Sequence, residues 1–139
     1  MKALSRLSGP YDTIMLPKNA TKGDWEVELG VIIGSKIRYV VEADALACVA
    51  GYCVVNDVSE RDYQFNRGGS WDKGKGCDTF GPVGPWLVTA DEIPDPQNLD
   101  MWLDLNGRRM YGNRQYTHHD IWGRGPYQLR QPIHDARAR

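Results

Sequence analysis

The chain is poor in cysteine, phenylalanine and histidine, and it has no long apolar run. Cys48, Cys53 and Cys77 are odd in number, and their spacing matches no zinc pattern. Reduced thiols in a cytoplasmic protein are the simplest account, with Cys48 and Cys53 reading as packing residues among apolar neighbours. The absence of a bilayer-length apolar segment argues against a membrane span. Met1-Lys2-Ala3-Leu4-Ser5-Arg6 lacks the apolar stretch of a signal peptide. A formal net charge of −1 gives no global attraction to nucleic acid or to a membrane surface, so neither is expected as a partner. The glycine-rich stretch after Arg67 does not have P-loop spacing, and Arg67-Gly68-Gly69 is too short a motif to argue for RNA binding.

What is present is enough for one domain: 139 residues, 41% of them apolar. Residues 1–20 read as loop, broken by Ser8-Gly9-Pro10 and Pro17. Trp25 to Ile33 reads as a strand, and Gly34-Ser35 as a turn into a second strand from Lys36 to Val41. Glu42 to Ala50 is alanine-rich and helix-prone, with Gly51 as its end. Tyr52-Cys53-Val54-Val55 is wholly apolar and reads as a buried strand. Ser59 is placed to cap a short helix through Gln64. Arg67 to Gly84 is too irregular for regular structure, and Trp86 to Thr89 reads as a strand. Met101 to Tyr111 reads as a hairpin around Asn106-Gly107, a type I′ turn pair.

Glu26 and Glu28 stand two apart in the first strand, so both carboxylates project from one face while Trp25, Val27 and Leu29 project from the other. Two acids this close repel. A hard divalent cation would relieve the repulsion, although a strand face open to water fits the same pattern. Asp57 follows the buried strand and is placed as a third oxygen ligand, or simply as a turn or cap residue. Three carboxylates suit Mg²⁺ or Mn²⁺, with Ca²⁺ also compatible. Arg61, four residues on, would lie one helical turn from Asp57 on the same side. Lys75, flanked by glycines, can approach a ligand closely, as can many lysines of solvated loops.

Three segments, taken together, carry a family resemblance. They are Trp25 to Gly34, Gly51 to Asp62, and Lys73-Gly74-Lys75-Gly76-Cys77-Asp78-Thr79-Phe80-Gly81-Pro82. In order and spacing the chain resembles the fumarylacetoacetate hydrolase family over about residues 1–113, here read as a partial catalytic domain. The stretch from Arg67 to Trp86 is most similar to the subgroup of ureidoglycolate lyases and 2,4-diketo-3-deoxy-sugar-acid hydrolases. The resemblance implies an α+β fold, an incomplete mixed β-sandwich roll of the family's C-terminal-domain type, and a homodimer. It implies Glu26, Glu28 and Asp57 as ligands of Mg²⁺ or Mn²⁺ and Lys75 as a catalytic cation. Arg61, Gln64 and Thr79 match positions that line the substrate or stand behind the ligands. The implied substrates are 2-oxo or β-diketo acids, and the implied reaction is hydrolysis of a C–C bond. Decarboxylation or isomerisation by the same chemistry, or a non-catalytic remnant, are the alternatives.

The chain departs from the family pattern twice. The family activates water with a His and a Glu upstream of the Glu-x-Glu strand, whereas residues 1–25 contain neither. This is read as truncation, with catalysis impaired. Residues 114–139 hold all three histidines, His118, His119 and His134, and five arginines, without periodicity. Adjacent histidines invite a metal reading, but a shifted frame accounts for them better. Permitted codons for His118-His119-Asp120-Ile121-Trp122, read one nucleotide later, spell the family's Thr-Met-Ile-Phe-Gly, and an amphipathic helix can follow. The segment is therefore expected to be an out-of-frame, poorly ordered tail. The expected coding DNA carries such codons from about Arg114; codons incompatible with the shifted reading would overturn the frameshift.

Overall fold

The computed structural model describes residues 2–112 together with Gln128–Leu129 and Pro132–Ile133. Its centre is a three-stranded antiparallel sheet of β3 (Val27–Ile33), β4 (Val49–Asn56) and β7 (Val88–Thr89), with β4 in the middle. The apolar run of β4 explains that position. A strand paired on both edges loses most of its contact with water, and Tyr52, Cys53 and Val54 are only 3–4% exposed. Shorter ladders surround the sheet. β1 (Leu7–Ser8) pairs in parallel with β6 (Gly81–Pro82), and β2 (Gly23–Asp24) pairs antiparallel with β5 (Ser59–Glu60). The Asn106-Gly107 turn joins β8 (Asp100–Leu105) to β9 (Arg108–Gly112), with both turn residues at positive φ as a type I′ turn requires. β10 (Gln128–Leu129) and β11 (Pro132–Ile133) also pair with β8, in parallel. Mixed sheets and three short helices, α1 (Glu42–Ala45), α2 (Arg61–Phe65) and α3 (Trp71–Lys75), make this an α+β arrangement.

Several expectations needed correction. Residues 36–41 form no strand. Tyr39 stands 89% exposed at a φ of 55°, and β3 pairs with β4 rather than with the segment that follows it. The helix expected over Glu42 to Ala50 stops at Ala45. A 3₁₀ turn, Leu46–Cys48, follows, and Val49 and Ala50 then enter β4. Pairing with β3 overrides the helix preference of the alanines, because propensity yields to tertiary context. Gly51 is no helix terminator. It lies inside β4, opposite Thr89, where a Cβ would run into the Val88 carbonyl oxygen. The stretch from Arg67 to Gly84 contains α3 and β6, and the strand after Trp86 is reduced to Val88–Thr89.

Among the described residues the buried apolar side chains are Tyr52, Cys53, Val54, Val58, Phe80 and Leu103. They lie on β4, on the segment just after it, just before β6, and on β8. Among the described residues no helix is long and apolar enough to cross a membrane. His118, His119 and His134 lie outside the described residues, as does the rest of the tail apart from β10 and β11.

The tight contact at Gly51 makes it a sensitive position. Gly51→Ala is expected to lower unfolding free energy by about 1–3 kcal/mol through overpacking against β7. Denaturant melts check this, and an unchanged midpoint would contradict the contact.

Candidate metal centre

The β3–β4 register builds the site. Val27 pairs with Asn56 and Glu28 with Val55, so one step beyond the ladder sets Glu26 opposite Asp57. The Asp57 amide donates to the Glu26 carbonyl at 2.9 Å, and the Glu26 amide donates to Asn56 Oδ1 at 3.2 Å. Glu28, two residues along, shares the face of Glu26. One carboxylate oxygen from each of Glu26, Glu28 and Asp57 lies within 4.8 Å of the others. The three candidate ligands are therefore brought together by strand pairing, not by closeness in sequence.

Basic side chains brace this cluster. Lys75, 5% exposed, donates from Nζ to Glu26 Oε2 at 2.7 Å, Asp57 Oδ2 at 2.5 Å and Ser59 Oγ at 3.1 Å. It stands at the end of α3, which sits close against α2. A Cβ on Gly74 would lie 2.6 Å from Gln64 Cβ and 2.8 Å from the Glu60 carbonyl oxygen. Arg61 opens α2 and turns to the first strand segment rather than to Asp57. Its Nη2 meets Glu26 Oε1 at 2.5 Å and its Nε meets Asp24 Oδ2 at 2.8 Å. The one-turn relation to Asp57 fails because β5 separates Asp57 from the helix. The helix cap is likewise shifted: Glu60, not Ser59, is the N-cap and accepts from the Asp62 amide at 3.1 Å. Ser59 instead donates to the Asp57 carbonyl at 3.0 Å and receives Lys75.

Gln64 is 1% exposed; its Oε1 accepts from Arg61 Nη1 at 2.8 Å, while its Nε2 is buried without a hydrogen-bond partner among the described residues. Thr79 holds a φ of 62°, uncommon for a β-branched residue. Its hydroxyl accepts from the Met15 amide at 2.8 Å and donates to the Asp78 carbonyl at 2.6 Å. The first of these contacts places Thr79 against the N-terminal loop.

The electrostatics follow the geometry. Burial works to lower the Lys75 pKa, but hydrogen bonds to Asp57 and Glu26 outweigh it and push the value up, so Lys75 stays cationic. Burial alone would raise Asp57; the Lys2 and Lys75 ammoniums hold it below the usual carboxylate range. Glu28 differs. Desolvation, then the charges of Asp57 and Glu26, push it up to about 7 from its ordinary 4.5. Its side chain reaches solvent, yet protein atoms crowd the carboxylate, and repulsion from two neighbouring acids acts in the same direction. Three hard oxygen donors, one of them held short of full ionisation by its neighbours, fit a divalent cation.

Sequence reasoning missed Asp24, Lys2, Ser59 and Glu60. Asp24 was within reach of it, because Asp24, Glu26 and Glu28 alternate along one segment. Lys2 carries no local signal at all.

Comparison with known proteins finds similar chains. The profile of the fumarylacetoacetate (FAA) hydrolase C-terminal region matches residues 1–127. A putative hydrolase of Burkholderia cenocepacia (strain HI2424) is 66% identical over 116 residues, covering 84% of this chain and 41% of that protein. Among solved structures, a putative HpcE protein from Mycobacterium smegmatis superposes with a TM-score of 0.74 at 40% identity, over 81% of this chain and 41% of that one. A probable 2-hydroxyhepta-2,4-diene-1,7-dioate isomerase from Mycobacterium abscessus gives a TM-score of 0.75 at 33% identity, over 81% of this chain and 43% of that one. The chain thus spans about two fifths of the length of the relatives it matches.

The raised pKa of Glu28 has a defined effect on stability. Between pH 4.5 and about 7 the folded chain holds a proton that the unfolded chain has released. That stabilisation is full below about 4.5 and lost as pH rises through about 7. Glu28→Gln cannot ionise. In the presence of EDTA it is expected to gain stability over the unaltered chain at about pH 8, relative to its standing near pH 4.5. Urea melts at the two pH values measure the difference; a gap that does not change with pH contradicts the assignment.

Proposed function

This chain belongs to the fumarylacetoacetate hydrolase family, and on that premise we propose that it carries the divalent-metal centre of a C–C bond hydrolase. The substrates on this reading are 2-oxo or β-diketo acids. The observation that carries the reading is the cluster of three carboxylates, within 4.8 Å of one another, braced by a buried Lys75. Glu26, Glu28 and Asp57 would hold Mg²⁺ or Mn²⁺; Ca²⁺ suits the same oxygen donors. When bound, such an ion polarises carbonyl oxygen and stabilises negative charge as it develops.

The chain's own residues supply the rest. Lys75, kept cationic by Glu26 and Asp57, sets fixed positive charge beside the ligands, where a departing enolate gathers charge. Arg61 orients Glu26 and holds the Gln64 amide in place. The buried Nε2 of Gln64, without a partner among the described residues, would serve as a donor for a substrate oxygen. Thr79 contributes by shaping the loop against Met15 rather than by touching the ligands. Neither Lys75 nor Arg61 acts as a base, because both are held in the charged form. Activation of water therefore falls to another group. The same family membership supports a mixed β-sandwich roll and a homodimer for the intact molecule.

Isomerisation is the second reading. It is favoured by the named isomerase among the similar solved structures and uses the same charge stabilisation without an attacking water. Assays of the full-length parent separate the two. Acylpyruvates or diketo sugar acids cleaved to two products indicate hydrolysis. A shifted double bond in a dienedioate without cleavage indicates isomerisation, and loss of carbon dioxide from oxaloacetate indicates decarboxylation.

Calorimetric titration tests the centre itself. The chain is expected to bind Mn²⁺, and Glu28→Ala to weaken binding by at least about tenfold. Binding unchanged by Glu28→Ala sinks the site.

A further inference from the structure

We propose that Lys2 is a positioning residue of the carboxylate centre, fixing both the Asp57 carboxylate and the backbone that carries Lys75. The proposal deepens the metal reading above and rests on it. Lys2 Nζ lies 2.6 Å from Asp57 Oδ1. The same ammonium donates to the Val58 carbonyl at 3.0 Å and to the Lys75 carbonyl at 2.6 Å. A lysine ammonium has three protons and no acceptor; two carbonyls accept hydrogen bonds from it, and three oxygens in all face its charge. One belongs to the candidate ligand, one to the residue after it, and one to the end of α3.

The placement is not that of a solvated surface lysine. The Lys2 side chain is 13% exposed, and its ammonium stands 5.9 Å from the ring centroid of Phe80, which is fully buried. Asp57 Oδ1 is itself a buried atom; the Lys2 contact is an ion pair by distance, without the direction of a hydrogen bond, and nothing else among the described residues pairs with that oxygen. Asp57 is thereby held from two directions, Oδ1 by Lys2 and Oδ2 by Lys75. Because Lys2 also grips the Lys75 carbonyl, one ammonium spans Asp57 and the backbone that carries Lys75, in addition to the direct Lys75–Asp57 contact. Partners of ligating carboxylates characteristically change metal affinity when they are removed.

The test compares Mn²⁺ affinity in the unaltered chain, Lys2→Met and Lys2→Arg. Methionine keeps an unbranched stem over Phe80 and removes the charge, whereas arginine keeps the charge near Asp57. Lys2→Met is expected to weaken Mn²⁺ binding about tenfold, with Lys2→Arg recovering most of the loss. A purely structural lysine would shift the melting temperature in EDTA and leave Mn²⁺ affinity alone. Lys2→Met binding Mn²⁺ within about twofold of the unaltered chain overturns the proposal, as does an arginine variant no tighter than the methionine one. Should Lys2→Met lose its circular-dichroism signal, Lys2→Gln gives the same reading, since it retains donors and drops the charge. An unaltered chain that binds no Mn²⁺ overturns the metal reading and this one together; binding lost in Glu28→Ala but kept in Lys2→Met overturns this one alone.

Discussion

Mutual repulsion among three carboxylates is the constraint around which this structure is arranged. Glu26, Glu28 and Asp57 present oxygens within 4.8 Å of one another, and at such a distance like charges are costly wherever water is partly excluded. The fold answers with cations drawn from separate parts of the chain. Lys75 comes from the end of α3, Arg61 from the start of α2, and Lys2 from the opening segment. Each oxygen of Glu26 and of Asp57 faces one of these cations. Glu28 is treated differently: desolvation first, and then the repulsion that the cations leave in place, push its pKa up. On the proposed reading a divalent cation would sit at that imbalance.

The neighbouring elements are intelligible from this centre outward. α3 must come close enough for Lys75 to reach two carboxylates, and Gly74 permits that approach to α2 and β5. Ser59 links the loop backbone at Asp57 to the same lysine, so the ligand loop and the α3 segment are tied at more than one point. Arg61 spans Asp24, Glu26 and Gln64, binding the first strand segment to α2. The network is polar and partly buried, and removal of one member leaves the others under-satisfied.

Much of the centre was legible in the sequence because it depends on period-two alternation and on strand ends. Glu26 and Glu28 share a face, and Asp57 ends the apolar run that became β4. The hairpin at Asn106-Gly107 was legible for a similar local reason, since its turn residues demand positive φ. Less was legible where pairing partners decide. Glu42 to Ala50 has helical composition, yet its second half turns and enters β4 because β3 offers a hydrogen-bonding edge. Gly51 looks like a helix stop, but it is required by the closeness of β7. Lys36 to Val41 has strand composition and pairs with no strand among the described residues. Lys2 is the extreme case: no window of sequence distinguishes it from any other lysine near a terminus, and only the assembled fold brings it to Asp57.

The antiparallel ladder that opposes Glu26 to Asp57 has a further consequence for folding. Side chains alternate along β3, so a slip of one residue against β4 would carry Glu26 and Glu28 to the side now held by Val27 and Leu29, and bring those apolar groups to Lys75 and Arg61. Such a mispaired chain would strand acids against β4's apolar neighbours and leave buried ammonium and guanidinium groups without counter-charges. The bulge between Ile32 and Ile33 falls at the far end of the ladder, away from these acids. The residues suited to hold a metal thus also discriminate among competing strand alignments, so selection on the chemistry and selection on the folding route bear on the same few positions.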